Sequence, residues 1–95
     1  MEVKEDFNLP QTSYKAFFPN FQLTPTNIQW MVGSMFQEVF YYEIRQVHVE
    51  HLSSDYPQII LLTYSNEKII LEYSKGFILE FESHLNYILD SIFED

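Results

Sequence analysis

The chain has no cysteine and only two glycines. The first absence removes disulfide staples, thiolate nucleophiles and cysteine-based zinc sites. The second removes Gly-rich phosphate cradles, because only Gly33 and Gly76 are available and they stand far apart. Positive charge is scarce as well. Lys4, Lys15, Arg45, Lys68 and Lys75 oppose fourteen acids, giving a formal net charge of −9 over 95 residues. Nucleic-acid binding needs clustered Lys and Arg to neutralise phosphates, and these five cations are scattered, so direct nucleic-acid contact is not expected. The same shortage argues against an anionic membrane surface. No apolar run approaches the roughly 20 residues of a membrane span. No apolar stretch follows a basic start, as a secretory signal requires, and the expected location is cytoplasmic.

What the chain does have is rings: nine Phe, seven Tyr and one Trp. A length of 95 residues predicts one small domain. Such a chain buries roughly 60–65% of the surface its unfolded form exposes. A core of that size cannot enclose every ring, so some aromatic surface is expected outside. Aromatic residues are enriched at interface cores, which points to a partner surface or a homo-oligomer.

Residues 1–25 carry three of the four prolines and no sustained period. They read as an aromatic arm packed on the body, with one short edge strand around Tyr14–Phe18. Thr24 and Pro25 suit an N-cap and a first helical position. Ile28, Met31 or Val32, Met35, Val39 and Tyr42 then recur at helical steps, predicting a helix at about 26–41 despite Gly33 in its middle. Val47 and Val49 alternate with His48 and Glu50, a strand with one wet face. Ser53 to Pro57 form a turn, and QIILLTYSNEKIILEY, residues 58–73, reads as a hairpin of two apolar arms around Ser65-Asn66-Glu67. Ser74, Lys75 and Gly76 end the third strand. Phe77, Phe81, Leu85, Ile88 and Ile92 then form one apolar face of a C-terminal helix at about 77–93. The expected fold class is α+β: a three-stranded antiparallel meander over about 43–73, the terminal helix on one face, and the first helix or the arm on the other.

The segments FYYEI (40–44), QIILLTY (58–64) and KIILEY (68–73), with the helix ending in HLNYILDSIF (84–93), resemble the second half of a PH-like domain of the CARMIL type. Those leucine-rich-repeat proteins regulate actin capping protein. The resemblance spans about residues 36–93 and carries no diagnostic motif. It implies a PH-like barrel capped by the C-terminal helix, and a protein-binding or dimerising module more than a lipid binder.

Candidate chemistry is thin. On a strand His48 and Glu50 share a face and could offer two ligands to a metal, but a solvated strand face explains them as well. Glu80 and His84 stand four apart on the last helix and could pair. No spacing singles out two carboxylates for hydrolysis, and Gly33-Ser34 lacks the second Gly of a nucleophile elbow. No catalytic, metal or cofactor site is therefore expected. Trp30, Met31 and Phe36 lie on a segment apolar nearly all round, which suits either a core helix or a docking surface anchored by Trp30. Glu80, Asp90 and Glu94 lie on the terminal helix. Asp90 and Glu94 fall near its C-terminal end, where a partner's Lys or Arg would relieve the unfavourable dipole interaction. The expected function is a non-enzymatic, acidic, self-associating protein–protein interaction module. The alternative is a small acidic inhibitor, of the phage or immunity type, that blocks the basic groove of a nucleic-acid enzyme.

Overall fold

A computed structural model describes residues 12–93. Among these, seven strands form two sheets and an α-helix follows them: β1 (Thr12–Phe17), β2 (Phe21–Leu23), β3 (Asn27–Val32), β4 (Met35–Phe40), β5 (Ile44–Glu50), β6 (Gln58–Thr63), β7 (Glu67–Glu72) and α1 (Ile78–Phe93). The four-stranded sheet runs β1-β7-β6-β5 and the three-stranded sheet runs β2-β3-β4. No strand ladder joins the two sheets among the described residues, so the barrel is not closed.

The meander is β5-β6-β7, antiparallel throughout, with Val49 opposite Ile59 and Ile59 opposite Leu71. Its second turn ends in Asn66 at φ 68°, and the Asn66 N–H bonds the Thr63 carbonyl at 3.2 Å. This is a type I turn with a left-handed residue after it, a conformation Asn tolerates well. The hairpin does not bury both faces. Ile59, Leu61, Ile69 and Leu71 are wholly enclosed, whereas Ile60, Leu62 and Ile70 are half-exposed. On that outer side Gln58 Nε2 donates to Glu72 Oε2 at 3.0 Å, and Lys15 Nζ lies 3.3 Å from Glu72 Oε1. Long polar stems thus supply the partial cover that was expected from a helix or arm.

The predicted helix over 26–41 does not form. Those residues are the hairpin β3–β4, turning at Gly33-Ser34 with Val32 opposite Met35. Gly33 has φ 63° and Ser34 a negative φ, which suits the two-residue reversal that places Gly first. Ile28, Trp30 and Val32 alternate with Asn27, Gln29 and Met31, so a period of two coexists with the helical one, and β-branched and aromatic residues favour the strand. Thr24 does cap, but it caps a turn: its Oγ1 accepts from the Thr26 N–H at 3.2 Å and the Asn27 N–H at 3.0 Å, and donates to Asn27 Oδ1 at 2.7 Å. The described part of the expected arm, 12–25, forms strands within both sheets. β1 is the foreseen edge strand, pairing in parallel with β7 (Tyr14 opposite Ile69). The remainder of the arm, 1–11, lies outside the described residues.

Helix α1 lays Phe81 and Ile88 into the core, flanked by Leu85 and Ile92, as its spacing predicts. Ile28, Trp30 and Val39 reach the same core from the three-stranded sheet. The Tyr41 and Tyr87 hydroxyls both donate to the Thr24 carbonyl, at 2.9 and 3.2 Å, fastening α1 to the β2–β3 connection.

Two substitutions test this packing. Ile88→Ala empties a fully enclosed site and should lower the unfolding free energy by about 2–5 kcal/mol, while Leu79→Ala, 74% exposed on the same helix, should change it by less than about 0.5 kcal/mol. Gly33→Ala finds open space around its Cβ, so its expected cost of about 1–2 kcal/mol arises from the backbone alone. Urea denaturation measures all three.

Candidate functional site

Between Lys15 and Glu38 the chain carries no charged residue and no histidine. That stretch folds into the end of β1, all of β2 and β3 and the first half of β4, so the three-stranded sheet of a strongly acidic protein carries Glu38 as its single charge. Beside it lies an open groove of about 340 Å³. Pro19 and Asn20 form one wall, Gln22 and Gln29 part of the floor, and Met31 and Phe36 the far rim. Gln22 Nε2 donates to Gln29 Oε1 at 3.2 Å across the floor. Met31 and Phe36 are directly opposite each other on adjacent strands. With Met35 63% and Phe36 56% exposed, the tip of the β3–β4 hairpin presents apolar side chains to solvent on both of its faces.

Of the residues singled out in the sequence, the structure brings three together here. Met31 and Phe36 stand on the surface. Trp30 does not: it is 3% exposed, its ring tilted against Tyr14 at 5.9 Å, and it forms part of the core beneath the groove. Neighbours on a strand point to opposite faces, so burying Trp30 obliges Met31 to face out. The indole N–H of Trp30 has no hydrogen-bond partner among the described residues. Glu80 and Asp90 are exposed on α1, away from the groove lining, and Glu94 lies outside the described residues. Met35, which does not line the groove, stands exposed at the same hairpin tip on the face opposite Met31 and Phe36. The signal for it was the charge-free interval itself, which marks where apolar side chains can be displayed without neighbouring ions.

His48 and Glu50 share the exposed outer face of β5, opposite Ile60 and Gln58. Among the described residues no group of three His, Cys, Asp or Glu side chains could hold a metal ion. No helix among them is long and apolar enough to cross a membrane.

The groove rests on an aromatic cluster. Phe21 lies at its base and meets Tyr73 edge-on at 5.5 Å, and Phe18 stacks on Tyr73 at 5.2 Å. Tyr73 in turn shares a hydrogen bond of 2.6 Å with Nδ1 of His84, so the partner of His84 is Tyr73, whereas the spacing had offered Glu80 as one it could pair with. Burial raises the Tyr73 pKa and Glu80 adds to the rise, so the phenol keeps its proton. Burial lowers the His84 pKa from the usual 6.5, against a smaller upward pull from Glu80.

Comparison with known protein families, curated proteins and solved structures finds no match to this chain. Its function must therefore be read from the geometry of its surface.

One consequence concerns pH. The folded protein holds His84 neutral more firmly than the unfolded chain does, so it binds fewer protons as the solution is acidified. Charging the ring puts a proton on both nitrogens, so Nδ1 can then meet the Tyr73 hydroxyl only as a donor. The contribution is complete above the unfolded pKa near 6.5 and is lost as pH falls through the lower folded value. Denaturant unfolding across this range should show stability declining on acidification. In His84→Phe the decline should be shallower than in the parent, whatever the absolute stability.

Proposed function

We propose that this protein is a non-enzymatic protein–protein interaction module that self-associates through its uncharged sheet. The observation that carries this reading is the exposed group of Met31, Val32, Met35 and Phe36 inside the longest uncharged interval of the chain. Two copies each carrying −9 repel one another most weakly where neither presents an ion. A basic partner would be drawn to the acids, which lie outside this interval. The groove walls are amides, a thioether and rings, side chains suited to contact and poorly suited to proton transfer. The PH-like, CARMIL-type resemblance, which implies a protein-binding or dimerising module, belongs to the same proposal.

A second reading has its own support. Glu80, Glu82 and Asp90 are exposed on α1, and none forms an ion pair among the described residues. An acidic helix of this kind could occupy a basic groove, as a small inhibitor of a nucleic-acid enzyme does. That association would weaken steeply with salt, whereas apolar self-association would not.

Sedimentation equilibrium distinguishes them. The parent protein should show a mass above the monomer at tens of micromolar (~10⁻⁵ M, an ordinary range for a modest interface), with little response to added salt. Met35→Lys, which places a cation on the apolar hairpin tip, should be monomeric under the same conditions while unfolding at the same urea concentration. A parent that stays monomeric at about millimolar concentration would remove the self-association reading.

A further inference from the structure

Among the described residues four strands lie at sheet edges, and three of them are guarded. β5 carries Arg45, His48 and Glu50 and a bulge between Ile44 and Gln46. β1 carries Lys15. β2 is three residues long, between Pro19 and Pro25. Short strands, cations, bulges and flanking prolines are how folded proteins stop an edge from recruiting another strand. β4 has none of these. It is six residues long, MFQEVF, with no proline, no cation and no irregularity in its pairing with β3. Its single charge, Glu38, accepts a hydrogen bond from Asn27 Nδ2 at 2.9 Å.

The phase of the ladder states which groups this edge offers. A two-residue hairpin closes on a hydrogen-bonded pair, here Val32 and Met35. Alternation then turns the backbone groups of Met35, Gln37 and Val39 toward β3 and those of Phe36, Glu38 and Phe40 outward. The Tyr41 N–H, which bonds the Thr26 carbonyl at 3.2 Å, continues the inward set.

We infer that β4 is the pairing edge: β4 of one copy adds antiparallel to β4 of a second copy across a two-fold axis, making one six-stranded sheet from two three-stranded ones. The inference rests on the self-association proposed above and specifies its mode. An antiparallel edge is complementary to itself under a two-fold axis, so it needs no second kind of surface. The occupant is a second copy because the edge and its surroundings are almost uncharged, which offers nothing to a basic partner and least repulsion to an identical acidic one. An axis at Glu38 would set two carboxylates directly opposite each other, an unfavourable pairing. An axis at Gln37 avoids this and sets Met35 of one copy against Val39 of the other.

Amide hydrogen exchange on the parent protein is the direct test. On dilution from dimer to monomer, the amides of Phe36 and Glu38 should lose protection while those of Gln37 and Val39, bonded to β3, keep theirs. Glu38→Pro removes an outward N–H without touching the β3 ladder and should weaken dimerisation roughly tenfold or more, since each lost bond is lost twice. Glu38→Gln, which keeps that N–H and sheds the charge, should dimerise at least as well as the parent. Gln37→Cys, then the only cysteine, should form a disulfide-linked dimer on mild oxidation, because the axis brings the two Cα atoms to about 4.5 Å. If the parent dimerises and Met35→Lys breaks the dimer, but Glu38→Pro dimerises normally and the Phe36 and Glu38 amides stay unprotected, the edge pairing is overturned and contact through side chains alone remains. If the parent does not dimerise, both fall together.

Discussion

The whole molecule depends on covering one apolar face of the β6–β7 hairpin. Ile59, Leu61, Ile69 and Leu71 are completely removed from solvent, each worth about 1.5–3 kcal/mol relative to exposure. Two elements supply the cover: α1 through Phe81 and Ile88, and the three-stranded sheet through Ile28, Trp30 and Val39. Because a strand offers only alternate residues to one face, a second sheet that helps roof the first must turn its other face outward. The apolar residues left over on that outer face and at the hairpin tip form the rim of the groove. The surface proposed for recognition is thus a by-product of how the core is closed.

Charge shapes the same surface from the other side. A body with a net charge of −9 gains solubility from its ions and meets copies of itself with reluctance. With those ions on β5, the outer face of the larger sheet, the connections, α1 and the chain ends, the smaller sheet keeps Glu38 as its single charge and approach there costs least. The arrangement of edges follows a similar logic. Cations, a bulge and prolines guard β1, β5 and β2, and among the described residues β4 alone is left open.

Parts of this were legible in the residues. The terminal helix follows from its 3–4 spacing, and its predicted stripe of Phe81, Leu85, Ile88 and Ile92 is the face that packs. The three-stranded meander follows from two apolar arms around Ser65-Asn66 and from the alternation of Val47 with His48. The β3–β4 hairpin was not legible in the same way, because Ile28, Val32, Met35 and Val39 satisfy a helical period while Ile28, Trp30 and Val32 satisfy a strand period. Thr24 with Pro25 deepened the ambiguity, since a hydroxyl that accepts nearby N–H groups looks the same before a helix and inside a turn.

By itself the sequence determined the acidic charge, the interval between Lys15 and Glu38 that lacks it, the surplus of rings and the two strongest local elements. Each of these depends on composition or on neighbours a few residues apart. Only the tertiary structure decided that β1 pairs with β7, that Trp30 is core while Met31 and Phe36 are surface, and that β4 is left as an open edge. Those outcomes turn on which face a strand buries and which strand lies beside it. They are set by contacts between residues far apart in the chain, where shifting the register by one position exchanges inside for outside.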